Sequence, residues 1–228
     1  CIEKDLCKDE SCLELFNEVT ALNLHVNMLI NNAGLGSTLS FEDGSIGLFE
    51  KQIKLNVLAT TLVTRLFLKI LERNSPSYIL NVGSMAGFFY LPKKQVYGAT
   101  KSFIYFFSKS LRKELEKDNI SVSVLCPGGM NTNPAITLMN KTGNYFSRLS
   151  IMNPEEVVPI AIDGLLKGKE VIIPGRVNKF FMLLDKLLPE SIKKIITRNA
   201  MKKVNPDNPL VRYLPGTPVT IPANQAIA

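Results

Sequence analysis

The chain has 228 residues, with 27 basic and 20 acidic side chains, a net charge of +7, 46% hydrophobic residues, four cysteines and one histidine. This is the balance of an ordinary globular protein, which excludes a collagenous, disordered or disulfide-stapled chain. The lone histidine, His25, excludes a multi-histidine metal site, and no apolar run approaches the roughly 20 residues needed to cross a bilayer.

A cytoplasmic protein with reduced thiols is therefore expected. The charge is local: between Arg176 and Lys203 eight basic residues face two acidic ones, and the rest of the chain is near neutral. Nucleic acid is not an expected partner.

In chain order, Cys1 to Leu6 and a polar Lys8-Asp9-Glu10-Ser11 turn precede a helix expected from Cys12 to about Leu22. Val26 to Ile30 is a compact apolar run closed by the Asn-Asn-Ala-Gly-Leu-Gly loop of Asn31 to Gly36, the pattern of a strand buried on both faces. Helical periodicity then runs from about Ile46 to Leu71 through Phe49, Ile53, Val57 and Leu68. Tyr78 to Val82 is the next strand, ending in Gly83-Ser84, and Gln95 to Lys117 the next helix, with Phe103, Phe107 and Leu111 on one stripe. The aromatic stripe is expected to serve as core or subunit contact. A strand at Ser121 to Cys126 stops at Pro127-Gly128-Gly129, where continued pairing would be costly.

A loop-rich segment, Met130 to Met152, leads to a helix opened by Asn153-Pro154-Glu155-Glu156, and a strand at Glu170 to Ile173 ends at Pro174-Gly175. Strands alternating with long helices imply an α/β doubly wound parallel sheet. Residues 1–175 are read as one catalytic domain. Residues 176–204 form its basic helical region, and 205–228 a Pro-containing tail.

Ligands of such sheets bind where the strands end, so the loops after the apolar runs carry the functional argument. Tyr97 and Lys101 stand at i and i+4 of one helix and share a face. An ammonium beside a phenol favours the phenolate and makes the pair a usable acid and base. Ser84 ends the strand thirteen residues upstream, Asn56 lies inside the earlier helix, Asn-Asn-Ala-Gly follows a strand, and Pro-Gly-x-x-x-Thr follows the strand after the Tyr-Lys helix.

In kind, order and spacing these elements resemble the short-chain dehydrogenase/reductase family over about Asp5 to Gly175. The resemblance implies a Rossmann-type fold and hydride transfer between NAD or NADP and a carbonyl or alcohol. It gives Tyr97 the role of acid/base and Ser84 that of substrate-oxygen donor. Lys101 becomes the partner of the phenol and of the nicotinamide ribose, and Asn56 the holder of a relay water. For the cofactor it implies Asp5 at the adenine, Asn32, Ala33 and Gly34 beside the adenosine ribose, and Pro127, Gly128, Met130 (through its backbone) and Thr132 at the nicotinamide, together with Tyr97 and Lys101.

The apolar content of Met130 to Met152 suggests an apolar carbonyl substrate, and the resemblance implies a homodimer or homotetramer, since the family commonly pairs subunits through the helices that here carry Asn56 and Tyr97. The alternatives are a catalytically silent protein of the same fold, or a membrane-peripheral one held weakly through 176–203. The sequence has no Gly-x-x-x-Gly-x-Gly turn to hold a pyrophosphate. With Cys1 to Leu6 aligned on the family's third strand, the fold is expected to lack its first two strand-helix units, roughly 60 residues. The chain alone is then expected neither to bind dinucleotide tightly nor to fold as a stable monomer, because the strand at 26–30 would expose an apolar edge.

Overall fold

The computed structural model describes residues 1–132, 134–141 and 148–188. The expected tail at 205–228 and the basic residues from Lys193 to Lys203 lie outside the described residues.

Four parallel strands, β1 (Met28–Asn31), β2 (Ser77–Val82), β3 (Ile120–Leu125) and β4 (Val171–Ile172), form one sheet in the order β1-β2-β3-β4. Ile30 lies opposite Leu80, Leu80 opposite Ser123, and Leu125 opposite Ile172. Period-2 alternation sends neighbouring side chains of each strand to opposite faces. One face carries Ile79 and Val122, which pack with Cys12 of α1 (Ser11–Ala21) and with Val63, Phe67 and Leu71 of α3 (Thr60–Arg73). On the same face Val124 meets Ile104 of α4 (Gln95–Glu114). The other face carries Leu80, Leu125 and Ile172, covered by Val157, Ala161 and Leu165 of α6 (Pro154–Leu166). Helices on both faces make the sheet doubly wound, as the alternation of elements implies.

Three expectations need correction. β1 is not buried on both faces: Ile30 is 43% exposed, because among the described residues β1 pairs only with β2 and so forms an edge. Cys1 to Asp5 form no strand, and the Asp5 carboxylate accepts from the Cys7 N–H at 3.1 Å in an exposed turn. A local Asx turn satisfies that backbone where no strand pairs with it. The segment after Pro127-Gly128 contains a helix, α5 (Pro134–Lys141), which the loop reading of Met130 to Met152 did not include.

Helix boundaries follow their caps. Asn153 and Glu156 close a capping box at the start of α6, satisfying two donors that the helix start leaves unpaired. The helix after the Asn-Ala-Gly loop starts as α2 (Ile46–Ile53), where the Ser45 hydroxyl accepts from the Leu48 N–H at 3.1 Å. It continues without a break through a π-helical segment, Lys54–Ala59, into α3. The basic region begins as α7 (Arg176–Leu187).

Candidate active site

Asn56 sits in the π-helical segment and is 1% exposed. π-turns inside helices concentrate at functional sites, and here the widened turn carries a side chain that binds three partners. Asn56 Oδ1 accepts from the Leu35 N–H at 2.8 Å, and Nδ2 donates to the Leu35 carbonyl at 3.0 Å and to Thr100 Oγ1 at 2.9 Å. The Thr100 hydroxyl in turn donates to the carbonyl of Tyr97 at 2.8 Å. One buried amide thus ties the loop after β1 to the helix that carries Tyr97 and Lys101. Both amide hydrogens of Asn56 go to protein acceptors, so a relay water would meet its free Oδ1 lone pair or its backbone.

Ser84 follows β2 in extended conformation (φ −168°, ψ 154°) and caps a short 3₁₀ turn, Met85–Gly87, by accepting from the Ala86 N–H at 3.1 Å. The turn lies against α4 so closely that a Cβ on Gly87 would stand 2.8 Å from the Lys101 carbonyl carbon. A side chain there would have to move backbone, which explains the glycine. The Met85 N–H donates to the Pro127 carbonyl at 2.9 Å, fastening the Pro-Gly loop after β3 to the same corner.

Tyr97 and Lys101 meet at this corner. Burial pushes the Tyr97 phenol up, and a hydrogen bond from the Ser84 hydroxyl opposes it. Lys101 is 6% exposed, and burial lowers its ammonium to about 8. Its Nζ donates to the Val82 carbonyl at 2.7 Å and stands 5.9 Å from the centroid of the Tyr97 ring. A Cβ on Gly34 would lie 3.3 Å from Asn56 Oδ1 and 3.4 Å from Lys101 Nζ, so the glycine keeps open a cradle over both groups. Cys126, fully buried near Lys101, has its thiol pushed up to about 12 by burial and remains protonated.

The structure therefore brings Asn56, Ser84, Tyr97, Lys101 and Gly34 together, with Pro127 bonded to the turn beside Ser84. Asn32 and Ala33 are exposed in the loop that Asn56 holds. Gly128 is crowded by the buried Asn178 of α7, whose Oδ1 would stand 2.6 Å from an added Cβ. The Met130 carbonyl accepts from Asn140 Nδ2 at 3.1 Å, and Thr132 is exposed. Asp5 belongs to its own exposed turn.

Sequence reading passed over Thr100, Asn178 and a buried chain of amides. Asn31 Nδ2 donates to Thr64 Oγ1 (2.9 Å) and to Asn81 Oδ1 (2.7 Å), and Asn81 Nδ2 donates to Ser108 Oγ (2.9 Å). The one signal for it was an Asn inside the apolar run of β2.

Comparison with known proteins bears on the family and the fold. A family model described as short chain dehydrogenase matches residues 1–142. The chain is 25% identical over 207 residues to a dehydrogenase/reductase SDR family protein 7-like of Drosophila melanogaster, covering 88% of this chain and 64% of that one. It is 30% identical over 186 residues to human estradiol 17-beta-dehydrogenase 11, covering 78% and 58%. The chain thus spans less than two thirds of the length of these relatives. A solved short chain dehydrogenase from Leptospira borgpetersenii with bound NAD+ superposes with a TM-score of 0.65 at 24% identity, covering 76% of this chain and 73% of that one. The family match over residues 1–142, with the parallel sheet covered on both faces, places this chain in the short-chain dehydrogenase family.

Proposed function

We propose that this chain supplies the catalytic corner of an NAD- or NADP-dependent oxidoreductase that interconverts a carbonyl and an alcohol, with Tyr97 as acid and base. The observation that carries it is the meeting of Ser84, Tyr97 and Lys101 at one corner, where the Ser84 turn packs on α4 beside Lys101 and the Lys101 ammonium stands 5.9 Å from the Tyr97 ring centroid. In reduction the Tyr97 hydroxyl gives its proton to the substrate oxygen, and in oxidation the phenolate takes it back. Ser84 donates to the same oxygen and stabilises the charge that builds there. Lys101 holds positive charge against the phenolate face, and the Val82 carbonyl fixes its head in place. Asn56 is a positioning residue, acting through Leu35 and Thr100.

The nicotinamide ring, when bound, supplies or accepts the hydride. The open cradle at Gly34 beside Lys101 fits its ribose, and the Pro127–Thr132 loop would hold the ring itself. The pyrophosphate has no Gly-x-x-x-Gly-x-Gly turn to meet in this sequence, so the residues present fit the nicotinamide half of the cofactor. The exposed apolar side chains Ile53 (50%) of α2 and Phe103 (39%) and Phe106 (67%) of α4 support pairing of like subunits.

Tyr97→Phe tests the assignment: the ring remains and the transferable proton goes, so turnover of a carbonyl panel should fall by about 100-fold or more, with dinucleotide affinity little changed. Near-normal turnover in that variant refutes the reading.

A further inference from the structure

Two residues before the catalytic turn go against local preference. Lys94 is the N-cap of α4, its side chain makes no capping bond, and the first turn of α4 has no acidic residue. A lysine at the positive end of a helix is the reverse of what the aligned peptide dipoles favour. Lys93 beside it holds a left-handed φ of 65°, unusual for a residue with a Cβ. The structure fixes this pair: the Lys93 carbonyl accepts from the Leu39 N–H at 2.8 Å, and the Lys94 carbonyl from the Gly98 N–H at 2.6 Å. Adjacent violations at the edge of a site are where function is expected to override local consistency.

Lys94 Nζ stands 5.4 Å from the centroid of the Tyr97 ring. The side chain is part-buried, and burial pushes its ammonium below the usual value. Among the described residues no ion pair includes Lys94. The other cation on the same ring, Lys101, is already bound to the Val82 carbonyl. A ring face compensates a part-desolvated ammonium only in part, and an anion at the same place would complete the compensation.

We propose that Lys94 is an anchor for a substrate carboxylate, so that the compound oxidised or reduced at Tyr97 is an oxo or hydroxy acid whose carboxylate lies within one side chain's reach of its reacting carbon. This rests on the reading of Tyr97 as acid/base. It narrows the apolar substrate expected from the loop composition to one with an acidic end, the N-terminus of α4 and Lys94 acting on the same charge.

The test uses the dinucleotide-loaded protein with short oxo carboxylates and their methyl esters, followed by initial rates and by calorimetric titration. The acids should be preferred to their esters by about 10-fold or more in kcat/KM, the range of one charge-assisted hydrogen bond. Lys94→Met should erase that preference chiefly through KM, and Lys94→Arg should restore most of it. Turnover of neutral ketones without preference for the acids overturns the anchor and leaves the Tyr97 assignment standing. So does a Lys94→Met variant that loses acid and ester equally through kcat. If nothing in the panel turns over, which the lack of a pyrophosphate turn would also produce, the titration decides the anchor: acid binding that Lys94→Met abolishes supports it, and absence of acid binding overturns it.

Discussion

Asn56→Ala removes the amide that joins the Asn-Ala-Gly loop to α4, and its cost can be worked from the bonds lost. Three hydrogen bonds of 2.8 to 3.0 Å disappear from a side chain that is 1% exposed. At about 1 kcal/mol net each, with water replacing part of what the half-buried Leu35 backbone loses, the sum is roughly 2–4 kcal/mol. For a chain of this size that lowers Tm by about 5–15 °C. Thr100→Val removes one bond of the three together with its own bond to the Tyr97 carbonyl and should cost about 1–2 kcal/mol. Because the bond between Asn56 and Thr100 is lost in either single variant, the double variant should fall short of additivity by about 1 kcal/mol. Denaturant unfolding of the four proteins measures all of this. A loss below about 1 kcal/mol for Asn56→Ala, or strict additivity, would refute the clamp.

Other expectations concern Lys101 and Gly87. Burial lowers Lys101 from 10.5 to about 8, so between those values the unfolded chain binds a proton that the folded one does not, and this residue makes stability rise with pH. Below pH 8 both states are protonated and the folded state carries the whole penalty, on the order of 3 kcal/mol. Relative to the parent, Lys101→Met should therefore be most favoured near neutral pH and lose that advantage as pH rises through 8 to 10.5. Denaturant titrations across the window check it, and a difference that does not change with pH would count against the buried ammonium. Gly87→Ala places a methyl 2.9 Å from the Ser102 nitrogen and pushes the Ser84 turn off α4. It should cost about 1–3 kcal/mol of stability and lower turnover together, and a variant with both intact would show that the close approach is not needed.

What the sequence by itself determined is local and periodic. A helix with Tyr97 and Lys101 four residues apart must present both on one side, whatever packs against it, and an apolar run ended by Pro127-Gly128 must stop there. Those features located the strands, most helices and the side on which Tyr97 and Lys101 meet. Tertiary structure decided what depends on partners far along the chain. Asn56 meets Thr100 across 44 residues, and Asn31 meets Asn81 across 50. A polar residue inside an apolar pattern shows that a partner must exist, since an unpaired buried amide is costly, but periodicity does not identify it. The same holds for Ile30, apolar in sequence and exposed in a strand with one neighbour, and for Asp5, which an exposed local turn claims. Lys94 is the sharpest case. In the sequence it is one more lysine before a helix, and only the tertiary structure brings its amine to the Tyr97 ring with no described carboxylate paired to it.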